Sequence, residues 1–235
     1  MCYVRTPDSG GVFVGLDDVR SSDLATWLFE HDIVCLQESH LWPDQELSLP
    51  YPDTHRCVAR SRPVVSMRQP GGGVLVFVRS TVTFDVRAGL SGPDLIVLDL
   101  VPILLVVAYV APAGSPWLAA TPLPPVARFC EIVTLRAAMD RPLLVVGDLN
   151  GRIGTSSPST QWPRVSSDCT SNARGSALLD LCTSSGLAIL NGSTFDASTM
   201  PGSFTSFQPR GSAVVDYAFA SASLLPLLSR AWLWV

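Results

Sequence analysis

Continuous aliphatic runs alternate with amphipathic stretches along this chain, and that alternation is its strongest structural signal. Ile33–Leu36, Val74–Val78, Leu104–Tyr109 and Leu143–Val146 each hold four to six apolar residues without a polar break. Short runs of this kind mark strands buried on both faces. Leu95–Val110 reads as two such strands joined at Pro102. Weaker strand signals fall at Val12–Val14, closed by Gly15, and at Leu187–Leu190, Phe204-Thr205, Ala213–Ala220 and Ala231–Val235. Thr81–Val86 reads as the hairpin partner of Val74–Val78. Helical spacing predicts helices from a cap at Ser21 or Ser22 through Glu30, over Val126–Met139, and over Ala177–Ser185 with Gly186 as terminator. Leu224–Leu228 makes one further helical turn. Residues 40–70 carry Pro43, Pro50, Pro52, Pro63 and Pro70, so long loops are expected there, and again over 111–125 and 151–171. Strands interleaved with helices give an α/β fold. No repeat and no linker divides the chain, so residues 1–235 are expected to form a single domain.

Composition narrows the possibilities. Hydrophobic residues make up 47% of the 235 and charged residues 15%, enough for a real core and unlike a disordered chain. The net charge of -4 offers no overall attraction to nucleic acid or an anionic membrane. All sixteen basic residues are arginine, whose planar fork suits phosphate. Cys2, Cys35, Cys57, Cys130, Cys169 and Cys182 include no Cys-x-x-Cys pair, which argues against a zinc site, and Cys35 and Cys182 sit among apolar neighbours as core residues. The start of the chain is polar rather than signal-like, and Leu95–Val110 is too short and too interrupted to span a bilayer. A soluble, intracellular protein is the expectation.

The candidate chemistry lies where apolar runs meet carboxylates. Leu143-Leu144-Val145-Val146 stops at Gly147-Asp148-Leu149-Asn150, and Ile33-Val34-Cys35-Leu36 stops at Gln37-Glu38. Asp216 sits within Ala213–Ala220, and Tyr109 closes Leu104–Tyr109. A carboxylate in such surroundings is costly unless it is paired or bound to a cation. Oxygen donors of this kind suit Mg²⁺ or Mn²⁺, and the set fits metal-assisted phosphoester chemistry. Gly71-Gly72-Gly73 is no phosphate loop, because no Gly-Lys-Ser/Thr follows it.

Five motifs, in order, carry a resemblance: Asp32-Ile33-Val34-Cys35-Leu36-Gln37-Glu38, Tyr109-Val110-Ala111-Pro112, Gly147-Asp148-Leu149-Asn150, the stretch from Arg174-Gly175 to Gly186-Leu187-Ala188-Ile189-Leu190-Asn191, and Val215-Asp216-Tyr217. With Ser203-Phe204-Thr205 they resemble the endonuclease/exonuclease/phosphatase superfamily over about residues 12–235, nearest to the apurinic-type endonuclease domains of LINE-like retrotransposons. The resemblance implies a four-layer α/β sandwich of two mixed sheets flanked by helices. It implies a phosphodiesterase that depends on Mg²⁺ or Mn²⁺, with DNA as substrate and the nucleus as its place if it derives from a retroelement. By the same analogy Glu38 holds the metal, Asp148 orients or deprotonates the attacking water, and Asn150 and Tyr109 hold the scissile phosphate. Asp216 would orient a histidine. For Asn172 and Asn191, caps or turns are expected. Thr205 is read as a strand residue, with a phosphate contact as the alternative.

The chain departs from the family pattern in two places. Aligned on Gly15-Leu16, the family's metal-site asparagine is replaced by Val12. The family's closing Ser-Asp-His strand has no counterpart before Val235, and His31, His40 and His55 all fall in the first quarter. The expectation is therefore a domain truncated at its C-terminal strand, with weak DNA binding and poor cleavage. A non-catalytic binding scaffold and a small-phosphoester phosphatase are the alternatives.

Overall fold

In a computed structural model the described residues are 2–6, 9–14, 21–63, 71–120, 125–139, 141–193, 202–209, 211–228 and 230–232. In chain order the elements are β1 Cys2–Thr6, β2 Ser9–Val14, α1 Ser21–Glu30, β3 Ile33–Gln37, β4 His55–Arg60, β5 Val74–Arg79, β6 Asp85–Val86, β7 Leu95–Leu100 and β8 Ile103–Tyr109. There follow α2 Pro116–Ala120, α3 Pro125–Ala137, β9 Leu143–Asp148, α4 Ala173–Ser184, β10 Leu187–Ile189, β11 Ser206–Gln208, β12 Gly211–Ala213, β13 Asp216–Ser221 and β14 Arg230–Trp232.

Two six-stranded sheets result, ordered β14-β1-β2-β3-β5-β4 and β10-β13-β9-β8-β7-β6. Each is antiparallel except for one parallel pair, β2 with β3 in the first and β8 with β9 in the second. β11 and β12 form a separate hairpin.

The apolar runs follow from double burial. Along β5, Val74, Val76 and Val78 face the second sheet, while Leu75 and Phe77 pack under Leu28 of α1. Along β9, Leu144 and Val146 face inward, and Leu143 and Val145 meet Phe129, Ile132 and Val133 of α3 and Leu178 and Cys182 of α4. Both sides of each central strand leave water, so no polar alternation survives. Each Val or Leu buried this way contributes roughly 1.5–3 kcal/mol. The layers are helix, sheet, sheet, helix, the expected four-layer α/β sandwich.

Several local expectations are corrected. β5 pairs with β3 and β4, not with the segment after it; that segment contributes only β6, which joins β7 in the other sheet. The proline-rich stretch 40–70 contains β4, an edge strand of alternating exposure that carries Arg56 and Arg60. Residues 111–125 contain α2, seated by the buried Trp117. α4 starts four residues earlier than its apolar spacing suggests, because the Asn172 side chain caps it by accepting from the Gly175 amide at 2.8 Å. β2 begins at Ser9, ahead of the expected Val12, and β1 precedes it. Phe204 and Thr205 lie just ahead of β11. Gly15 and Leu16, on which the family pattern was aligned, fall outside the described residues.

Candidate active site

The registers of the second sheet decide what meets at its rim. In the parallel pair β8/β9, Tyr109 stands beside Asp148; in the antiparallel pair β9/β13, Asp148 stands beside Asp216. Tyr109, Asp148 and Asp216 therefore form a row across three adjacent strands. Asp216 opens β13 rather than closing a strand, because β13 runs opposite to its neighbour. From the first sheet, Glu38 follows the last residue of β3, and the Tyr109 hydroxyl donates to its carboxylate. That contact ties the two sheets together at this rim.

Asn150 completes the group. Its backbone amide donates to one Asp148 carboxylate oxygen at 2.9 Å and its side-chain amide to the other at 3.0 Å. Asn150 holds a left-handed backbone, φ 46°, which folds the chain back over Asp148. The five residues singled out from the sequence thus stand together: Glu38 with Tyr109, Asp148 with Asn150, and Asp216 facing Asp148.

Charge is crowded here. Burial raises the Asp148 carboxyl well above the ordinary carboxylate range, and the facing Asp216 raises it further, with Glu38 adding to the effect. Burial likewise raises Asp216, opposed in part by a hydrogen bond with Thr205. The Tyr109 phenol is pushed far up by burial, then by the Glu38 carboxylate it donates to, so it remains a proton donor. Two facing acids beside a third crowd negative charge at this rim, and Arg174 is the cation whose charge reaches Asp148.

Residues 14–235 match the model of the Endonuclease/Exonuclease/phosphatase family. The chain belongs to that family. Among solved structures it is similar to the 3′ phosphatase NExo from Neisseria bound to a product DNA hairpin, with TM-score 0.61 and 14% identity, covering 93% of this chain and 89% of that one. It is also similar to the endonuclease domain of TRAS1, a telomere-specific non-LTR retrotransposon, with TM-score 0.56 and 18% identity, covering 92% of this chain and 87% of that one. At such identities these likenesses speak for the fold. A search of curated protein sequences returned no significant match.

Members of the family generally depend on a divalent metal, and the donor set here fits a hard one. Glu38, Asp148 and Asp216 offer only oxygens, and Gln37, 2% exposed, leaves both atoms of its side-chain amide without a partner directly before Glu38. A buried amide with nothing to bond is a place for ordered water or a hydrated ion. Among the described residues no group of three or more His, Cys, Asp or Glu forms a ready-made ligand cage. One or two carboxylates completed by water is the habit of Mg²⁺.

The remaining residues of the family pattern take other places. The Thr205 hydroxyl accepts from the amides of Val215 and Asp216 at 2.9 and 3.0 Å, which fixes the start of β13. Asn191 is buried and bridges β13, donating to the Asp216 carbonyl and accepting from the Ala218 amide. Asn172 is the α4 cap. Val12 lies in β2 opposite Ile33. The His55 ring is bound to the His31 carbonyl, while His40 sits at the rim with its Nε2 3.9 Å from Glu38.

Sequence reasoning passed over three charged residues. Arg174 donates to the carbonyls of Ala111 and Asn150, fixing the loops that follow Tyr109 and Asp148, and its charge bears on both residues. Arg62 and Asp94 form a buried ion pair behind Tyr109. Arg174 lay within a quoted motif, but nothing local marked Arg62 or Asp94, whose partners are distant in sequence. No helix among the described residues is long and apolar enough to cross a membrane.

Proposed function

We propose that this chain is a divalent-cation-dependent phosphodiesterase of the endonuclease type, acting on DNA. The observation that carries the reading is the pair of facing carboxylates, the half-buried Asp148 and the buried Asp216, set beside the Glu38–Tyr109 contact. The DNA hairpin in the NExo structure and the endonuclease domain of TRAS1 support DNA over a small phosphoester. Glu38 would hold the cation, which when bound supplies counter-charge to a phosphoryl oxygen. Asp148, with its raised pKa, is a stronger base than a surface aspartate and takes the proton of the attacking water. Hydrolysis forms one P–O bond from that water and breaks the ester P–O bond, and the departing ester oxygen takes a proton from solvent to leave as a hydroxyl. Asn150 keeps Asp148 aimed through two hydrogen bonds. Tyr109 is a neutral donor that can turn from Glu38 to a phosphate oxygen.

Turnover by residues 1–235 is expected to be slow. His40 lies by Glu38 and His55 on the His31 carbonyl, so neither pairs with Asp216 as the family's histidine would. Losing one preorganised donor to transition-state charge costs on the order of 10²–10³ in rate. The test is plasmid nicking with Mg²⁺ or Mn²⁺ beside Asp148→Ala and Glu38→Gln. Slow, metal-dependent nicking that both substitutions abolish supports the reading. Nicking that survives both overturns the residue roles.

A further inference from the structure

Behind Tyr109 lies a buried ion pair that the proposed chemistry does not use. The Arg62 Nε donates to the Asp94 carboxylate at 2.7 Å, and the two residues are 7% and 2% exposed. The guanidinium carbon lies 5.4 Å from the centre of the Tyr109 ring and 4.9 Å from that of Trp117, so the cation is stacked between two aromatic residues. Its Nη2 is buried with no hydrogen-bond partner. An ion pair this deep is poor evidence of added stability, since apolar residues of the same volume commonly do as well.

The pair's contacts lead to both ends of the Glu38–Tyr109 hydrogen bond. On one side, the Asp94 carbonyl accepts from the Tyr109 amide at 2.9 Å, and Arg62 lies against the Tyr109 ring. On the other, the Asp94 carboxylate accepts from the Gly73 amide at 2.6 Å. The carbonyls of Gly72 and Gly73 then accept from the amides of His40 and Ser39 at 2.9 and 3.3 Å, immediately after Glu38. This accounts for the last two glycines of the triplet. Gly72 has φ 63°, and a Cβ there would stand 2.3 Å from the Arg62 guanidinium carbon; at Gly73, φ 88°, it would stand 2.4 Å from the Ser39 hydroxyl. Only glycine lets the loop pass between the ion pair and the Glu38 turn.

We propose that Arg62 and Asp94 are positioning residues: their ion pair fixes Tyr109 and the Glu38 turn together and so sets the site's affinity for its divalent cation. The inference rests on Glu38 as cation ligand. Lysine at position 62 would keep the charge but lose the planar fork and the stacking.

The test is Mn²⁺ calorimetry on the full chain for the wild type, Glu38→Gln, Arg62→Lys and the double substitution Arg62→Met/Asp94→Asn. Melting and amide exchange at His40 and Gly73 are measured in EDTA on the same samples. The double substitution leaves no unpaired buried charge, so it folds even if Arg62→Lys does not. Outer partners of metal ligands typically set affinity by about 10–100-fold. Both Arg62 variants are therefore expected to weaken Mn²⁺ binding at least about tenfold and to speed exchange at His40 and Gly73 by a similar factor, with the exchange of the β8 and β9 amides unchanged. Affinity within roughly twofold of wild type in a folded variant, or unchanged exchange at both amides, overturns the proposal. If wild type and Glu38→Gln bind Mn²⁺ alike, the role of Glu38 fails, and the exchange measurement still decides whether the ion pair holds the turn.

Discussion

Asp216→Asn should make the cation-free protein more stable. Asp148 and Asp216 are directly opposite each other in β9 and β13, and both carboxyls are raised by burial. Side chains of cross-strand partners lie about 5 Å apart. Two like charges at that distance, at an effective dielectric of about 20, repel by about 3 kcal/mol. Asparagine keeps the shape and can still meet Thr205, but it removes one of the charges. Allowing for the proton that one acid of the pair can retain, the gain should be about 1–3 kcal/mol, or roughly 3–9 °C in Tm for a chain of this length. The pH dependence follows from the sign. A carboxyl whose folded pKa lies above its unfolded value costs stability at high pH, and the cost vanishes as pH falls through the folded value toward the ordinary carboxylate range. The wild type in EDTA should therefore gain stability from pH 8 down toward pH 5, while the variant stays flatter. Mn²⁺ should stabilise the wild type more than the variant, because the wild type offers it one more negative charge. Thermal unfolding followed by circular dichroism across that range reads all three effects. A variant that melts below the wild type at pH 7 in EDTA, or parallel pH profiles, would refute the idea that these charges are in conflict.

Two further substitutions probe the frame. Gly147→Ala should destabilise the fold by about 3 kcal/mol or more, read as a fall in the urea midpoint; the new Cβ would stand 1.8 Å from the Ala108 carbonyl oxygen of the neighbouring strand at a backbone φ of 152°. Gly89→Ala, where nothing lies within 4 Å, should stay within about 0.5 kcal/mol of wild type, and equal effects at both positions would contradict the packing argument. Asp99 is held down to about 2 by hydrogen bonds from Arg141 and Arg87, so its contribution is complete above the unfolded pKa near 4 and is lost as pH falls toward 2. Arg87 is half exposed and screened by solvent, which leaves on the order of 1 kcal/mol; melting curves at pH 5 and pH 3 should show Asp99→Asn less acid-sensitive than the wild type by that amount.

The strands legible in the sequence are those buried on both faces. β3, β5, β7, β8 and β9 each lie between an inner layer and a helix or loop, and their residues carry no alternation that could mislead. β4 was hidden because it is an edge strand: with one flank unpaired it tolerates Arg56 and Arg60, and its proline-rich surroundings read as loop. The hairpin expected after β5 failed for a different reason. Sequence proximity favours pairing with the next segment, but β5 already has β3 on one side and β4 on the other. The two-residue β6 was left for the edge of the second sheet. Nothing local announces which neighbour a strand will find.

At the site, the same division separates side chains from the backbone that aims them. Glu38, Asp148 and Asp216 were visible because a carboxylate beside an apolar run is out of place, and Tyr109 because it closes such a run within a family motif. The turn geometry was not. Among the described residues the non-glycine positions with positive φ are Glu38, His40, Asp94 and Asn150. Three of these are in or touching the Glu38–Asp148 group, and the fourth, Asp94, is the anion of the pair behind it. A left-handed backbone costs an ordinary residue roughly 1–2 kcal/mol; Asn, Asp and His adopt it more readily than most residues, and Glu38 has no such preference. Each is held by a specific partner: Glu38 by the Tyr109 hydroxyl, His40 by the Gly72 carbonyl, Asp94 by Arg62 and Gly73, and Asn150 by Asp148. None of those partners lies in the same turn except Asp148, so only the assembled fold supplies the compensation. Strain that recurs at one rim and is offset by long-range contacts marks a place where direction matters more than local ease. The sheets alone would bring the carboxylates near one another; the four left-handed turns bend the chain at the positions where their side chains must meet.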